Sequence, residues 1–318
     1  MILNLQKCLF AVKEAVSGTF NPPSTTALVY ASDISFSEVK PVVERAILFN
    51  RKTSPKSLAG IKSCELGFKV EVNTKIITEN ANYLAVVLDL LSGCDLKWAH
   101  NVDANMDNWV SAFKEANDAT ETLSFIYHEG DRKYSIKGGI GDVKISGSDG
   151  EIVYMDFTFK AVIHLVETSA FPNPSFEEEY APVILKDSSC TIAGVILEPV
   201  VSFEFALNND LKERKDFRAL TGLLSYYNGK RKPSLTIDPE GSSQLGTAID
   251  TLVDDREGAL VSLNIGNQAE TTGSIVISGT AIPNQYSRED RDGILAYSLP
   301  MDLQEDTIIK ITILSLTP

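Results

Sequence analysis

From Cys64 to Val72 every second residue is apolar. Cys64, Leu66, Phe68, Val70 and Val72 alternate with Glu65, Gly67, Lys69 and Glu71. A period of two sends alternate side chains to opposite faces, so this stretch predicts a strand with one buried face. Val153, Met155, Phe157, Phe159 and Ala161 repeat the pattern against Tyr154, Asp156, Thr158 and Lys160. So do Val201, Phe203, Phe205 and Leu207, and later Leu295, Tyr297, Leu299, Met301 and Leu303. Gly138-Gly139, Asp149-Gly150, Asn228-Gly229 and Asp292-Gly293 supply turn signals. Asp149-Gly150 lies between 142–147 and 152–162, which predicts a hairpin.

Helical periodicity is scarce. Residues 79–91 place Leu84, Val87, Leu88 and Leu91 on one stripe and stop at Gly93. Residues 244–254 place Leu245, Ala248, Ile249 and Leu252 likewise, behind Ser242 and Ser243 as caps. Each helix has one apolar face and is expected to lie against a sheet. A short third helix is expected near 107–116.

Pro172, Pro174 and Pro182 punctuate Thr168–Pro182. Proline cannot donate a ladder hydrogen bond and stiffens extended chain, so a boundary is expected there. The reading is a first β domain at 1–170, a linker at 171–182 and a second β domain at 183–318.

The halves share an order of elements. Pro41-Val42-Val43 is echoed by Pro199-Val200-Val201, and each is followed by a basic loop. A strand comes next (64–72 against 233–238), then a helix (79–91 against 244–254). Val143–Gly147 is matched by Ile275–Gly279, and a long alternating strand closes both halves, 152–162 and 294–303. This predicts a mainly β chain of two related units, each with a flanking helix. The first carries extra residues at 95–120.

Composition narrows the chemistry. The chain of 318 residues is 43% hydrophobic, enough to bury a large core. No apolar run is long enough to span a membrane, and no small-residue cleavage site follows the amino terminus, so no secretory signal is expected. Cys8, Cys64, Cys94 and Cys190 form no C-x-x-C pair and read as reduced, packed thiols, which fits assembly in a reducing cytoplasm. Lysine plus arginine total 29 against 43 acidic residues, a net charge of -14. That balance argues against an affinity-driven grip on nucleic acid.

No catalytic constellation emerges. The histidines, His100, His128 and His164, have no partner at recognisable spacing, and His128 sits at a predicted hairpin tip beside Glu129-Gly130-Asp131. Gly138-Gly-Ile-Gly-Asp142 lacks the third glycine of a dinucleotide turn, since Lys144 holds that place, and reads as a flexible hairpin. Asp103-Ala-Asn-Met-Asp107 opens like a calcium loop, but Asn108 stands where glycine is needed and Lys114 where a bidentate Glu is needed. It reads as a helix cap or solvated loop. Neither cofactor nor metal is expected, and no enzymatic activity. A carbohydrate-binding β-sandwich would expose an aromatic cluster, and Trp98 and Trp109 are the only tryptophans.

Leu9-Phe-Ala-Val-Lys-Glu-Ala-Val-Ser-Gly-Thr-Phe-Asn-Pro22 resembles the opening of the siphophage tail tube (major tail) proteins. Ser32–Phe36, Val43–Leu48 and Leu58–Val72 continue the likeness through a Val-Glu-Arg segment, a basic loop and its return strand. Leu88-Asp-Leu-Leu-Ser-Gly-Cys94 is similar to the family's helix end, with Gly and Cys exchanged. Phe171–Pro174, Lys232–Glu240 and Arg288–Leu299 resemble its linker, second-half strand and closing segment. The stretch 95–120 departs from the pattern.

The resemblance implies two β-sandwich or barrel domains, and subunits that form rings stacked into a virion tail tube. Three chains make a pseudo-sixfold ring if both halves line the channel, and six if only one does. Its partners would be itself, other tail proteins, and DNA passing without specific binding. Lumen-facing candidates are Glu65, Glu71, Asp156 and Asp302, tempered by Lys69 and Lys160. Arg45, Arg51, Lys52, Lys56, Lys212, Arg214, Lys215 and Arg218 are candidates for contact with the next ring. Glu177, Glu178, Glu179, Asp254 and Asp255 are their candidate acidic partners. Another tail component (terminator, hub or baseplate) and a secretion-system tube protein are the competing expectations.

Overall fold

The computed structural model describes residues 6–39, 42–43, 58–59, 63–72, 81–103, 106–115, 118–172, 174, 182–185, 188–197, 199–215, 223–241, 250, 258–266, 274–284, 286–291, 293–304 and 306–314. In chain order the strands begin with β1 (Lys7–Lys13), β2 (Leu28–Val29), β3 (Ala31–Val39), β4 (Val42–Val43), β5 (Leu58–Ala59) and β6 (Ser63–Glu71). The helix α1 (Ala81–Gly93) follows, then β7 (Leu96–Asp103), β8 (Met106–Phe113), β9 (Leu123–Glu129), β10 (Arg132–Ser148) and β11 (Tyr154–Thr168). Next come β12 (Ser189–Ile192), β13 (Val195–Leu197), β14 (Val200–Ala206), β15 (Asn209–Lys215), β16 (Leu223–Arg231) and β17 (Ser234–Pro239). The chain ends with β18 (Ala259–Ile265), β19 (Ser274–Pro283), β20 (Ser287–Arg291), β21 (Ile294–Leu303) and β22 (Ile308–Leu314).

The strands with clean alternation form as predicted. β6 buries Cys64, Leu66, Phe68 and Val70; β11 buries Met155, Phe157, Phe159 and Ala161. They pair antiparallel with Phe68 opposite Phe157 and Leu66 opposite Phe159, so apolar residues share one face and polar residues the other. In the first half the pairing closes on itself. β1 joins β2 and β9, β9 joins β10, β10 joins β11, β11 joins β6, and β6 joins β3, which continues β2 past Tyr30. The result is a closed barrel.

β10 is the hinge of the architecture. Its start pairs with β9 and its end, Lys144–Ser148, with β14. The change of partner follows a register shift between Lys137 and Ile140, where Gly138 has a φ of +65°. This corrects two expectations: Gly138-Gly139 is not a turn, and 138–142 is not a flexible hairpin. The glycines serve a bulge inside a long strand. A Cβ on Gly139 would lie 2.6 Å from the Phe125 ring, and one on Gly141 2.6 Å from the Phe159 ring. Close ring-to-backbone approach requires both.

In the second half β14 joins β17, β17 joins β21, and β21 joins both β20 and β19. β19 continues to β18, β12 and β13 on one side and to β22 on the other. β22 then pairs with β8, and β8 with β7. Within the stretch 95–120, strands β7 and β8 thus form a pair that extends the sheet of the opposite half. The helix expected near 107–116 is strand β8. Ser111 is buried there and accepts the Ile309 N–H at 2.8 Å, so pairing with β22 overrides a weak local preference. Asp103 is the last residue of β7 and Asp107 lies in β8, so neither caps a helix.

Helix α1 buries Tyr83, Val86, Val87, Leu90 and Leu91. The stripe is turned from the expected one, because Tyr83 packs against Tyr30 at 5.0 Å while Leu84 and Leu88 are only partly buried. Asn228-Gly229, expected as a turn, lies within β16. Asp149-Gly150 and Gly293 do turn, with φ of +73° at Gly150 and +87° at Gly293. Of the helix expected at 244–254, only Asp250 is described, and it is helical. One contiguous apolar core runs from Leu9 to Ile311 through both halves.

Candidate assembly surfaces

The pairing sequence β3–β6–β11–β10–β14–β17–β21–β20 makes one uninterrupted sheet across both halves. Its outward face is polar and threaded with charge. Glu65 stands opposite Lys160, and Asp156 opposite both Lys69 and Lys144. Lys144 pairs with Glu204 at 2.6 Å across the junction between the halves, Lys69 with Asp33 at 3.2 Å, and Lys232 with Asp302 at 3.1 Å. Glu71 stands opposite Tyr154, and Ser202 donates to Asp238 at 2.5 Å. Exposed pairs of this kind add little stability each, about 0–1 kcal/mol. Their consequence is a surface on which Lys69, Lys144, Lys160 and Lys232 each have an acid beside them and acids are in excess.

The second half grips the first through the hairpin β15–β16. Leu211, Leu223 and Tyr226 pack on Ile140 and Val162, on the outer side of the barrel. Beside this patch lies a polar knot. Asn209 Nδ2 donates to the carbonyls of Cys94 at 2.9 Å and Gly141 at 3.1 Å. Asn228 Nδ2 donates to Asp95 at 3.1 Å and to Asn209 Oδ1 at 2.9 Å. Arg231 pairs with Asp95 at 3.2 Å, donates to the Lys114 carbonyl and lies 4.8 Å over the Phe113 ring. Burial pushes Asp95 above the usual carboxylate range, against the pull of Asn228 and Arg231. Asp142 is likewise raised by burial, although it accepts the Asn209 N–H at 3.1 Å. Next to the knot a groove of about 780 Å³ is lined by Phe113, Lys114, Arg231, Lys232 and Leu303.

A family model described as phage tail tube protein matches residues 5–300. The chain belongs to the phage tail tube protein family. A search of curated proteins gives no match. The family's role is structural, as a component of the virion tail, and it implies assembly into tubes with other tail proteins.

Membership gives the tail tube motifs a physical content that sequence reading missed. In the opening segment the decisive residue is Glu14, a buried carboxylate. It accepts hydrogen bonds from the Gly18 N–H at 2.6 Å, the Gly138 N–H at 2.7 Å, Ser124 at 2.8 Å and Thr122. Glu14 therefore fixes the turn after β1 and the bulge in β10 together. Asn21 adds a bond from its side chain to the Lys13 carbonyl at 3.0 Å. Lys13 and Lys114 meet at Glu121; burial works to raise that carboxyl, but the two lysines hold it below its usual range. The signal for Glu14 was present, since an acid followed by a Gly-containing turn can tie up orphan amides. Its partners at 122, 124 and 138 were not readable from spacing.

The predicted contact residues fall in several places. Lys212, Arg214 and Lys215 lie exposed on β15, with Lys212 paired to Asp210 at 3.0 Å and Lys215 to Glu213 at 3.3 Å. Arg45, Arg51, Lys52, Lys56, Arg218, Glu177, Glu178, Glu179, Asp254 and Asp255 lie outside the described residues. Glu65, Glu71, Asp156 and Asp302 all sit on the polar sheet face.

The histidines pack on aromatic rings. His100 stacks on Trp109 at 4.3 Å and His164 on Phe20 at 4.9 Å. His128 sits edge-on between Phe10 and Phe171, and burial lowers its proton affinity, with Lys133 adding to the effect. The four thiols are free and buried, and burial pushes Cys8, Cys64 and Cys190 up to about 12. Among the described residues no group of His, Cys, Asp and Glu is placed to hold a metal ion. Among them, too, no helix is long and apolar enough to cross a membrane.

Proposed function

We propose that copies of this chain form stacked rings, and that the polar face of the long sheet lines the channel through which DNA passes. The observation that carries the reading is the junction of β10 with β14, which makes the polar faces of the two halves continuous. On this reading the units at 1–170 and 183–318, joined by 171–182, both contribute to the lining, and three chains complete a pseudo-sixfold ring.

DNA carries about one negative charge per 1.7 Å of axis, and a basic wall would hold it. Here Lys69, Lys144, Lys160 and Lys232 stand among Asp33, Glu65, Glu71, Asp156, Glu204, Asp238 and Asp302, which leaves the wall acidic. Such a wall repels the duplex weakly and lets it slide. Assembly takes place in the host cytoplasm, where buried thiols stay reduced.

The ring-to-ring contact is assigned to the basic segments. These comprise Lys212, Arg214 and Lys215 on β15, together with Arg45, Arg51, Lys52, Lys56 and Arg218. They meet the acidic stretches Glu177–Glu179 and Asp254-Asp255 of the next ring.

Two experiments test the reading. Electron microscopy at rising protein concentration is expected to reveal hollow tubes; a monomer at every concentration counts against it. Neutralising Arg51, Lys52, Arg214 and Lys215 together is expected to abolish stacking. Unchanged polymerisation, with no salt dependence in the wild type, would reject the inter-ring assignment.

A further inference from the structure

The internal junction between the halves carries its own register, and the same register has an unoccupied counterpart at the far ends of the sheet. In the first half Ala31 stands opposite Val70 and Phe36 opposite Leu66; in the second, Val200 stands opposite Pro239 and Phe205 opposite Leu235. One constant shift in numbering converts the first set into the second. Each first strand also carries a register irregularity near its start, between Ser32 and Ser35 in β3 and between Val200 and Ser202 in β14. The next pair of strands behaves alike. Phe68 opposite Phe157 and Leu66 opposite Phe159 correspond to Ile237 opposite Leu299 and Leu235 opposite Met301.

Extending the correspondence by one strand gives the key match. In β10, Lys144 stands opposite Asp156 and Ser146 opposite Tyr154. The equivalents of Asp156 and Tyr154 in β21 are Ser298 and Ala296, whose partners are Ser287 and Glu289 of β20. Strand β20, Ser287–Arg291, is therefore the counterpart of Lys144–Ser148. That segment of β10 is the one that pairs with β14, from Lys144 opposite Ala206 to Ser148 opposite Ser202. Yet β20 pairs only with β21, and β3, the counterpart of β14, pairs only with β6, among the described residues.

We infer that β20 of one copy pairs antiparallel with β3 of a second copy, in the register of the β10–β14 junction. This rests on the ring reading above and names its seam. Transferred residue by residue, the register sets Ser287 opposite Ser37, Arg288 opposite Phe36 and Glu289 opposite Ser35, with Arg291 facing the bulge at Asp33-Ile34.

The chemistry of the two edges fits. Arg288 lies over the rings of Tyr286 at 5.6 Å and Tyr297 at 6.0 Å, and Phe36 would extend that stack. Phe36 is only partly buried, although it packs on Tyr134 at 4.7 Å. Arg291 Nη1 is buried without a hydrogen-bond partner, and Asp33 presents a carboxylate 71% exposed. Charged residues on β20 also restrain casual pairing of a bare edge. The seam is thereby selective for its own counterpart.

Disulfide trapping tests the seam, with the wild-type cysteines as a quiet background because all four are buried. The pairs Glu289→Cys with Ser35→Cys and Ser287→Cys with Ser37→Cys are compared with the offset pair Glu289→Cys with Ser32→Cys. Opposed residues in an antiparallel pair lie about 4.5–5.5 Å apart, within disulfide reach. Under mild oxidation of assembled protein, each in-register pair is expected to shift the monomer band into a covalent series that ends at the ring. The offset pair and the single variants are expected to stay monomeric. Ser32, Ser35, Ser37, Ser287 and Glu289 are all exposed, and circular dichroism of each variant checks the fold. Hollow tubes in the microscope without in-register cross-links would overturn the seam and leave the channel reading standing. A wild type that never assembles, with no cross-links, would overturn both.

Discussion

The two halves present the same strand order on the polar face, β3–β6–β11–β10 in one and β14–β17–β21–β20 in the other, and cover it differently. The first half closes into a barrel through β1 and β9 and packs α1 on its flank. In the second the other sheet is extended by β7–β8, strands lent by the first. What the halves hold in common is the strand order of the polar sheet; what differs is the scaffolding behind it.

The comparison can be broken at its core. Phe159 is fully buried and meets the rings of Phe68 and Phe125 at 5.9 and 5.0 Å. Phe159→Ala is expected to cost about 3–5 kcal/mol in denaturant unfolding, because the ring leaves a cavity that glycine-lined backbone cannot fill. If the halves unfolded independently, probes in the second would not register the loss.

The polar knot sharpens the point. Arg231→Ala leaves Asp95 partly buried beside Asn228 with its cation gone, an expected cost of about 2–3 kcal/mol. Trp98 and Trp109 sit on the lent hairpin, so their fluorescence is expected to change before the barrel melts. A single coincident transition would argue that the knot does not couple the halves.

Glu14→Gln is expected to cost about 1–3 kcal/mol, since an amide offers one acceptor where four donors converge. Hydrogen exchange is expected to rise at Gly18 and Gly138. No change at Gly138 would separate the turn from the bulge.

The smallest effect is a pH dependence. His128 has a lowered proton affinity in the fold, so its stability contribution is present above its usual value of 6.5 and lost as pH falls through the folded value. Melting temperature is expected to fall on acidification, and to fall less in His128→Phe. Equal acid slopes would remove the histidine from the account.

Much of the polar sheet was legible in the sequence. Strict alternation in 64–72 and 153–161 gives both the strands and their buried faces, because one face must leave water. The expected match of Val143–Gly147 with Ile275–Gly279 was not met, because the paired registers set Lys144–Ser148 beside β11 and β14 and Ile275–Gly279 beside β18 and β22. Nor were the helix expected at 107–116 and the turn expected at Asn228-Gly229. Their local signals are weak, and both are decided by partners far along the chain: Ile309 for Ser111, and Asp95 for Asn228. The candidate lumen residues were readable as the polar half of each alternation. The seam between copies was not, because register exists only once strands are paired.

Helical reconstruction of assembled tubes by electron cryomicroscopy tests the central claim most directly. The account predicts Glu65, Lys69, Asp156, Lys144 and Glu204 on the channel wall, with β14 continuing from β10 around the circumference. Density placing that face on the outside of the tube, or buried between rings, would contradict it.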